Sequence, residues 1–585
     1  MSRYLEADAT NALRPIRDVG KDVEVWSNAT WIGQLDEKDL IGATRLAPVD
    51  AARYQRARLL VWSNGHPRGF IELPLMDGSV EAASAIAEIA KLPPVPVREG
   101  EWPLPPMSVV VCTRDRPDQL RDVLENLADL DYPHFEVLIV DNHPASGLTP
   151  PVVGAFASAT DTSVRLVEAV GQGLSIARNV AIKNAENDLV AFTDDDVVVD
   201  RHWLKNLAYG FSRDERVACV CGMVPSAELV TPAQSYFDRR VGWARGCEPA
   251  VYALADPPDD DPLFPMRVAQ FGTGANFAVR RGVVTRLGGF DEGLGIGSPT
   301  GGGEDIDLFV RILLGGHTLV REPSAVVWHC HRRSAAELEV QVRNYGLGLG
   351  AWIAKLATRP RTLGMAAKRV RPAIRHLRRV TIVEQQGNGP PDAEMEALYG
   401  RELGGVLRGP IALLGARVAG RKAEPLRGWS SKFMRAFDFR RDQDWGDPGN
   451  SIAAGRLALA AVALGMGGSL GAISRLPTVV LGLAVGMFLL AGPGSLILSW
   501  YANLPSYALL TLIPPVSIAV CIVATTATVT LGFYHPVLVL LVLTGATAIG
   551  GIVRCGYLAH RAEQASSAER ASRAEQASRA EQGST

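Results

Sequence analysis

Leu189-Val190-Ala191-Phe192-Thr193-Asp194-Asp195-Asp196 is the stretch that decides the fold, because a short apolar run ends abruptly in three carboxylates. Such a run before a polar turn is typical of a buried strand. Residues 107–112 and 135–140 are further apolar runs, and helical spacing lies between them at Leu120, Val123, Leu124 and Leu127. This alternation of strand and helix predicts an α/β fold built on a parallel sheet.

Three polar segments follow predicted strands: residues 113–116, Asp141-Asn142 and residues 194–196. Helices are predicted over 174–184 and 203–211, which continues the same strand-helix rhythm. In sheets of this kind ligands gather beyond the carboxyl ends of the strands. We therefore expect the three polar segments to meet in one crevice.

A second acidic pair, Glu304-Asp305, follows Gly301-Gly302-Gly303. Ile306, Phe309, Val310 and Leu313 form a helical stripe, which puts the two acids in the first turn and away from that stripe. The first acidic cluster has the oxygen ligands to hold a divalent cation against a diphosphate, and the second can remove a proton from a hydroxyl. A solvated acidic turn and helix-start acids favoured by the dipole are the structural alternatives.

Charge is segregated along the 585 residues, although the formal net charge is only −2. Residues 476–553 contain no Asp, Glu, Lys or Arg, whereas residues 358–380 carry eight Lys or Arg and no acid. This distribution predicts a multi-pass membrane protein, with spans at 477–500, 506–531 and 536–553 and a weaker fourth at 453–474. Residues 1–20 lack a long apolar run of the kind a signal peptide needs. The basic residues 358–380, which precede the spans, predict that the protein lies in the cell membrane with its catalytic domain on the cytoplasmic side.

Composition divides the chain into five predicted parts. Residues 1–95 form a small β-rich accessory module with a hairpin turn at Asn64-Gly65. The catalytic domain follows at residues 106–333, and a basic interfacial helical segment attracted to membrane lipids at 334–450. The transmembrane helices cover residues 451–558, and a polar tail with a repeated Arg-Ala-Glu-Gln covers 559–585. A nucleic-acid patch is the rival interpretation of the basic segment, and we expect no nucleic-acid partner. The seven cysteines are scattered, so no disulfide framework is predicted.

Five motifs in order resemble those of family 2 glycosyltransferases over residues 106–333. They are Val109-Val110-Val111-Cys112-Thr113-Arg114-Asp115-Arg116, Val137-Leu138-Ile139-Val140-Asp141-Asn142, Gly173-Leu174-Ser175-Ile176-Ala177-Arg178-Asn179, Phe192-Thr193-Asp194-Asp195-Asp196 and Gly303-Glu304-Asp305-Ile306-Asp307-Leu308. The resemblance implies a GT-A (Rossmann-like) nucleotide-sugar-binding domain. It also implies a nucleotide-diphosphate sugar donor, inversion at the anomeric carbon and a divalent cation, Mn²⁺ or Mg²⁺.

The resemblance also implies roles for individual residues. Asp305 would be the catalytic base and Glu304 would orient the acceptor. Asp196, Asp194 and His329 would hold the metal, with His331 as the alternative histidine. The nucleotide-sugar group comprises Thr113, Arg114, Arg116, Asp141 at the base, Arg178 at the diphosphate, Asn179, Asp194, Asp195 and Asn276 at the sugar hydroxyls.

The expected acceptor is a lipid-linked saccharide or a cell-envelope glycan. A processive polysaccharide synthase of the same family is one alternative. Such enzymes carry Q-x-x-R-W, which Gln341-Val342-Arg343-Asn344-Tyr345 does not match. A catalytically inactive membrane scaffold or sensor is the other alternative, and the intact acidic residues argue against it.

Overall fold

A computed structural model describes the chain within two compact units, residues 1–438 and 439–585. The described residues are 12–94, 100–244, 246–259, 261–267, 270–357, 362, 364–365, 369, 393–419, 457–466, 469, 478–500, 506–530 and 535–558. Most of the predicted basic stretch and all of the predicted polar tail lie outside them.

The amino-terminal part of the first unit contains short strands and one helix. They are β1 (Ala12–Leu13), β2 (Thr30–Asp36), β3 (Arg45–Pro48), β4 (Arg56–Ser63), β5 (His66–Pro74), β6 (Val80–Glu81) and α1 (Ala82–Ile89). Strands β4 and β5 are antiparallel and pair up to Ser63 and His66, which confirms the hairpin predicted at Asn64-Gly65. The side chains of Ile32, Leu60 and Phe70 pack with Trp328 of the following domain, so this part shares a hydrophobic cluster with it.

The rest of the first unit alternates strands and helices around a larger sheet. Its first half holds β7 (Met107–Thr113), α2 (Pro117–Ala128), β8 (Phe135–Asp141), α3 (Thr149–Ala159), β9 (Ser163–Glu168), α4 (Leu174–Asn184), β10 (Leu189–Thr193), β11 (Val197–Val199) and α5 (Trp203–Ser212). Its second half holds β12 (Val217–Met223), α6 (Pro232–Val241), β13 (Ala250–Tyr252), β14 (Asn276–Arg280), α7 (Arg281–Arg286), α8 (Glu304–Leu314), β15 (Thr318–His329), α9 (Ala335–Ala357) and α10 (Ala393–Val418).

The large sheet has the strand order β11-β15-β12-β14-β10-β7-β8-β9, with β13 also paired to β15. Strands β10, β7, β8 and β9 are mutually parallel, as predicted. The sheet then continues through β14, which is antiparallel to both β10 and β12. The α/β fold class is confirmed, but the sheet is mixed rather than parallel throughout. Strand β14 enters antiparallel because no crossover helix lies just before it to return the chain to the starting edge.

Apolar side chains on both faces of the sheet form the core, as expected for a sheet covered by helices on each side. Val109, Val111 and Ala191 face one cluster, and Val110, Val190 and Phe192 face the other. Cys219 and Cys221 are fully buried in β12, and all seven cysteines are unpaired thiols. This placement agrees with buried strand thiols rather than a zinc site.

A buried charged cluster joins helices α9 and α10 to helix α8. The Lys355 amino group lies 2.8 Å from Asp291 and 2.7 Å from Asp307. Arg417 donates to both oxygens of Asp291, at 2.7 and 2.6 Å, and Arg311 donates to Asp307 at 2.7 Å. Helices α9 and α10 therefore belong to the wall of the catalytic domain, although the sequence assigned them to a separate interfacial segment.

In the second unit, among the residues described, two helices are long and apolar enough to cross a membrane: Leu512–Val529 and Pro536–Leu558. Shorter apolar helices cover Leu457–Met466 and Ala484–Leu498, where further spans were predicted. Two such helices by length and composition are weak evidence for membrane association.

Candidate active site

A cavity of about 660 Å³ opens at the carboxyl ends of strands β7 and β10 and faces the start of helix α8. Most of the predicted site residues line it. They are Thr113, Arg114, Arg116, Arg178, Asp194, Asp195, Asp196, Glu304, Asp305 and His329. Parallel strands bring their carboxyl ends to one edge of a sheet, so segments far apart in the sequence meet here.

The three aspartates after β10 differ in their contacts. Asp195 is held by the protein, because Thr113 Oγ1 donates to it at 2.8 Å and Arg116 donates at 2.7 Å. Asp196 lies 3.2 Å from Arg332 and 3.3 Å from Arg116. Asp194 lies 3.7 Å from the Arg178 guanidinium. Thr113 and Arg116 thus fix the Asp195 carboxylate, and all three aspartates line the cavity.

Asp194, Asp196 and His329 form a candidate metal group. One ligand atom from each lies within 4.8 Å of the other two. His329 Nε2 is 3.4 Å from an Asp196 oxygen, and its Nδ1 is 3.1 Å from Nδ1 of His331. Burial lowers the pKa of both imidazoles and so favours their neutral forms. A neutral imidazole beside two carboxylates is a suitable donor set for a divalent cation.

Arg178 is buried, with 2% of its surface exposed, and it packs among the rings of Phe192, Phe277 and Phe290. Its guanidinium donates to Glu304 at 3.0 Å and to the Gly274 carbonyl at 2.8 Å. The contacts of the guanidinium thus give Arg178 a structural role, and its contact with a diphosphate stays a prediction. Arg178 holds the acidic start of α8 and the 272–275 loop in a fixed position.

Asp305 is half-buried at the first turn of α8. One carboxylate oxygen accepts a hydrogen bond from the Gly274 N–H at 2.8 Å, and the other accepts one from the Ile306 N–H at 2.8 Å. Two backbone donors orient the carboxylate, which lines the same cavity as the three aspartates.

Burial raises the pKa of Asp194 to about 7, and Asp196 and Asp195 add to the effect while Arg178 opposes it. Burial and the neighbouring Asp305 raise the pKa of Glu304 to about 7 as well. At Asp196 burial is outweighed by His329, Arg332 and Arg116, and the pKa is lowered. Burial therefore raises the pKa of two carboxyl groups that line the cavity, while nearby basic side chains lower the pKa of a third.

Three of the predicted residues do not line the cavity. Asn276 is fully buried and donates to the carbonyls of Met223 and Ala325, while its oxygen accepts from Trp203. Its amide joins strands and cannot contact sugar hydroxyls in this position. Asn179 is bonded to both backbone groups of Phe290, which fixes the 289–292 turn.

Asp141 lies at the end of β8, below the cavity wall. One oxygen accepts from the His143 N–H at 2.8 Å, and the other, Oδ2, is buried without a hydrogen-bond partner. The predicted contact with a nucleotide base rests on this oxygen. Asn142, which the sequence analysis did not assign, lines the cavity and fixes the glycine loop by donating to Gly171 O and accepting from Gly173 N–H.

One side of the cavity was not predicted from the sequence. Phe237, Trp243 and Tyr345 form an aromatic wall with ring centroids 5.4 to 6.4 Å apart. Arg240 of α6 and Glu402 of α10 line the same cavity and pair at 2.9 Å. These residues lie on α6, α9 and α10 and, for Trp243, in the turn after α6. None belongs to a recognisable motif, although the aromatic residues near Arg240 were a possible signal. Arg332, which also lines the cavity, follows His331 directly, so the sequence offered a signal for a basic group at this point.

Comparison with known proteins identifies the domain. The family description Glycosyl transferase family 2 matches residues 108–288. The pre-mycofactocin glycosyltransferase of Mycobacterium tuberculosis (strain ATCC 25618 / H37Rv) is 28% identical over 243 residues, which cover 41% of this chain and 46% of that protein. The O-antigen biosynthesis protein RfbC of Myxococcus xanthus is 27% identical over 256 residues, covering 42% and 19%.

The chain thus spans about half the length, or less, of these relatives. Among solved structures, the mannosyltransferase PcManGT from Pyrobaculum calidifontis in complex with GDP-Man and Mn²⁺ is 18% identical with a TM-score of 0.32, covering 78% of this chain and 90% of that one. The family profile and the related glycosyltransferase sequence support the predicted family and enzyme class: residues 108–288 match Glycosyl transferase family 2.

Proposed function

We propose that the chain is an inverting, metal-dependent glycosyltransferase that moves a sugar from a nucleotide-diphosphate sugar to a hydroxyl of a lipid-linked or cell-envelope glycan. One observation carries this proposal. The candidate metal group of Asp194, Asp196 and His329 lines the same cavity as Glu304 and Asp305, and Arg178 lies 3.7 Å from Asp194 and 3.0 Å from Glu304. A leaving-group site and a base within one space are what a single displacement at a sugar carbon needs.

The metal group suits a divalent cation, and its two carboxylates with one imidazole favour Mn²⁺ over Mg²⁺, which prefers oxygen ligands. When bound, the cation supplies positive charge against a diphosphate. Arg116 and Arg332 line the same cavity and add two guanidinium groups near Asp196. They support the diphosphate there. Asn142, which lines the cavity, is the group proposed for the nucleotide base, and the predicted role of Asp141 there requires its buried Oδ2 to become accessible.

Asp305 is the proposed base. Its carboxylate takes the proton from an acceptor hydroxyl as that oxygen bonds to the anomeric carbon and the bond to the nucleoside diphosphate breaks. Attack from the face opposite the leaving group inverts the configuration. Arg178 fixes Glu304, which orients the acceptor, and the Gly274 N–H fixes Asp305. Exclusion of water by the bound substrates is part of the proposal.

Membrane attachment and an envelope acceptor rest on two kinds of support. The chain has apolar helices at Leu512–Val529 and Pro536–Leu558. Relatives bear names from O-antigen biosynthesis and succinoglycan biosynthesis. A multi-pass protein in the cell membrane, with the catalytic domain on the cytoplasmic side, satisfies both. Tyr345 stands where Q-x-x-R-W ends in processive synthases, but Asn344 replaces the arginine, which favours transfer of one or a few sugars.

The test is a screen of nucleotide sugars on the full-length protein in lipid nanodiscs. A donor is identified by thermal stabilisation that requires Mn²⁺, since a ligand bound to the folded state raises its apparent stability. Release of nucleoside diphosphate, abolished by a chelator, then demonstrates turnover. Binding without any turnover would favour the sensor alternative, and long polymeric products would favour a processive synthase.

A further inference from the structure

Helix α10 has one exposed apolar face, formed by Leu403, Leu407, Ile411, Leu414 and Val418 and here called the α10 stripe. Their exposed fractions are 50%, 60%, 73%, 64% and 81%. The spacing of three and four residues keeps all five within a narrow arc of the helix. A continuous exposed apolar row on a surface helix marks a contact with a partner.

The opposite face of α10 is already occupied by α9. A side-chain carbon at Gly405 would lie 2.6 Å from the Arg343 carbonyl, and one at Gly409 would lie 2.4 Å from the Ala351 nitrogen. Leu413 and Ala416 are buried on this side. The small residues that allow close helix–helix packing are thus used within the domain, and the α10 stripe offers only large side chains.

Large apolar side chains beside basic ones favour a lipid surface as the occupant. Arg401 and Arg408 are exposed on the same helix. Upstream along the chain, residues 358–380 carry eight Lys or Arg and no acid. A helix of this kind lies in the headgroup region of an anionic bilayer with its apolar face buried about 5–10 Å deep.

The same helix borders the catalytic cavity. Glu402, next to the first residue of the stripe, lines the cavity and pairs with Arg240. The aromatic wall lines the same cavity, where the Trp243 ring lies 6.1 Å from the His329 ring and 6.4 Å from the Tyr345 ring. Aromatic faces suit the apolar faces of sugar rings. The aromatic side of the cavity therefore has the chemistry of a saccharide site, and Glu402 connects it to the helix that carries the stripe.

We infer that the α10 stripe lies in the headgroup–acyl boundary of an anionic bilayer, so that the cavity mouth opens at the membrane surface and the acceptor enters as a lipid-linked saccharide. The inference rests on the proposed function. Of the two acceptor classes proposed there, a lipid-linked saccharide and a cell-envelope glycan, it selects the lipid-linked saccharide. The saccharide reaches Asp305 along the aromatic wall, while the lipid portion stays in the membrane.

The test measures depth in the membrane. A fluorescent amino acid is placed at Leu407 in the stripe, at Tyr345 in the cavity wall, or at the control position Ile86, an exposed apolar residue of α1. The full-length protein is reconstituted in nanodiscs of phosphatidylcholine and phosphatidylglycerol. Quenchers are a nitroxide near the top of the acyl chain, a nitroxide on the headgroup, and aqueous iodide.

The acyl-chain nitroxide should quench position 407 at least about twofold, as expected for a helix buried at this depth. The headgroup nitroxide should quench position 345, and neither lipid quencher should affect position 86. Quenching of position 407 by iodide alone would place the stripe in water and overturn the inference. Protection from every quencher would show a protein cover, from this chain or a second copy, and would overturn it as well.

If the acyl-chain nitroxide quenches position 407 but the headgroup nitroxide does not quench position 345, the cavity mouth does not open at the membrane surface. That result would refute entry of the acceptor from the membrane. None of these readings requires catalysis, so they are independent of the proposed function. Failure to turn over any nucleotide sugar would remove the transferase proposal and leave the depth pattern intact.

Discussion

Two buried groups of charge in the same unit differ in how far the protein neutralises them. In the cavity, Asp194 and Glu304 have pKa values raised to about 7, mainly by burial. In the cluster of Asp291, Asp307, Lys355, Arg311 and Arg417, each carboxylate has close cationic partners. There the pKa of Asp291 falls to about 2, because Arg417 and Lys355 outweigh the effect of burial.

The difference separates a binding site from a structural joint. Buried charges that are fully paired hold two elements together, and here they fix α9 and α10 against the 289–293 turn and α8. Buried charges with too few partners cost stability, and such a cost is expected where a ligand completes the set. Acid content alone would not distinguish the two groups. The cationic partners of each group do.

The largest expected effect is on the chemistry of the cavity. Asp305→Asn should lower transfer by about 10²- to 10⁴-fold, because a positioned base contributes that much to proton transfer. The amide retains an oxygen that can accept from the Gly274 N–H, so donor affinity should stay near that of the wild type. Initial rates and equilibrium binding of the donor provide the check, with Asp118→Asn, an exposed helix residue, as the control. Retained turnover with lost donor binding would contradict the assigned role.

Substitution in the structural joint, the cluster around Asp291, should lower the free energy of unfolding. Asp291→Asn leaves Arg417 and Lys355 underpaired, and loss of one partner in a buried ion pair costs about 3–5 kcal/mol. Thermal unfolding of the full-length protein in nanodiscs measures the loss. Asp214→Asn, which breaks an exposed pair with Arg216, should change little.

The same variant carries a pH signature with a defined sign. The folded pKa of Asp291, about 2, is below the ordinary value for aspartate, so its contribution is complete at neutral pH. That contribution is lost as the pH falls towards 2. Wild type and Asp291→Asn should therefore converge in stability at acidic pH, and a constant difference at all pH values would argue against an ionic joint.

An intermediate effect is expected at Arg178, which connects the loop at Gly274 to the acid at Glu304. Arg178→Lys keeps the charge and removes the planar fork that reaches both partners. Loss of a hydrogen bond to a charged group costs about 1.5–3 kcal/mol, or roughly 10- to 100-fold in rate. The lower rate of Arg178→Lys should come from a lower kcat more than from a higher KM for the donor. A change confined to KM would assign Arg178 to donor binding alone.

The smallest expected effect is the pH dependence of stability from Glu304. Its folded pKa, about 7, is above the ordinary value for glutamate, so the folded state binds more protons between these values. Stability should therefore decline as the pH rises through this window and level off above 7. The decline in apparent unfolding temperature should be smaller for Glu304→Gln. An equal decline in both proteins would assign it to other groups.

The sequence predicted the parallel half of the sheet and the meeting of its polar loops, because strand and helix periodicities are local and strand ends share one edge. Asn179 and Asn276 were misplaced, since an asparagine that ties backbone segments together gives the same signal as one that binds a ligand. The antiparallel direction of strand β14 was not predicted, because it depends on partners far away in the chain. The Lys355–Asp291–Arg417 joint and the aromatic wall could not be predicted, because tertiary packing alone brings those helices together.

Binding of Mn²⁺ to the full-length protein tests the central claim most directly, measured by electron paramagnetic resonance with and without nucleoside diphosphates. The account predicts that Asp196→Asn and His329→Ala each abolish the diphosphate-enhanced binding, while Asp305→Asn, across the same cavity, retains it. Equal Mn²⁺ binding by all four proteins, wild type included, would contradict the assignment of Asp194, Asp196 and His329 as the metal group.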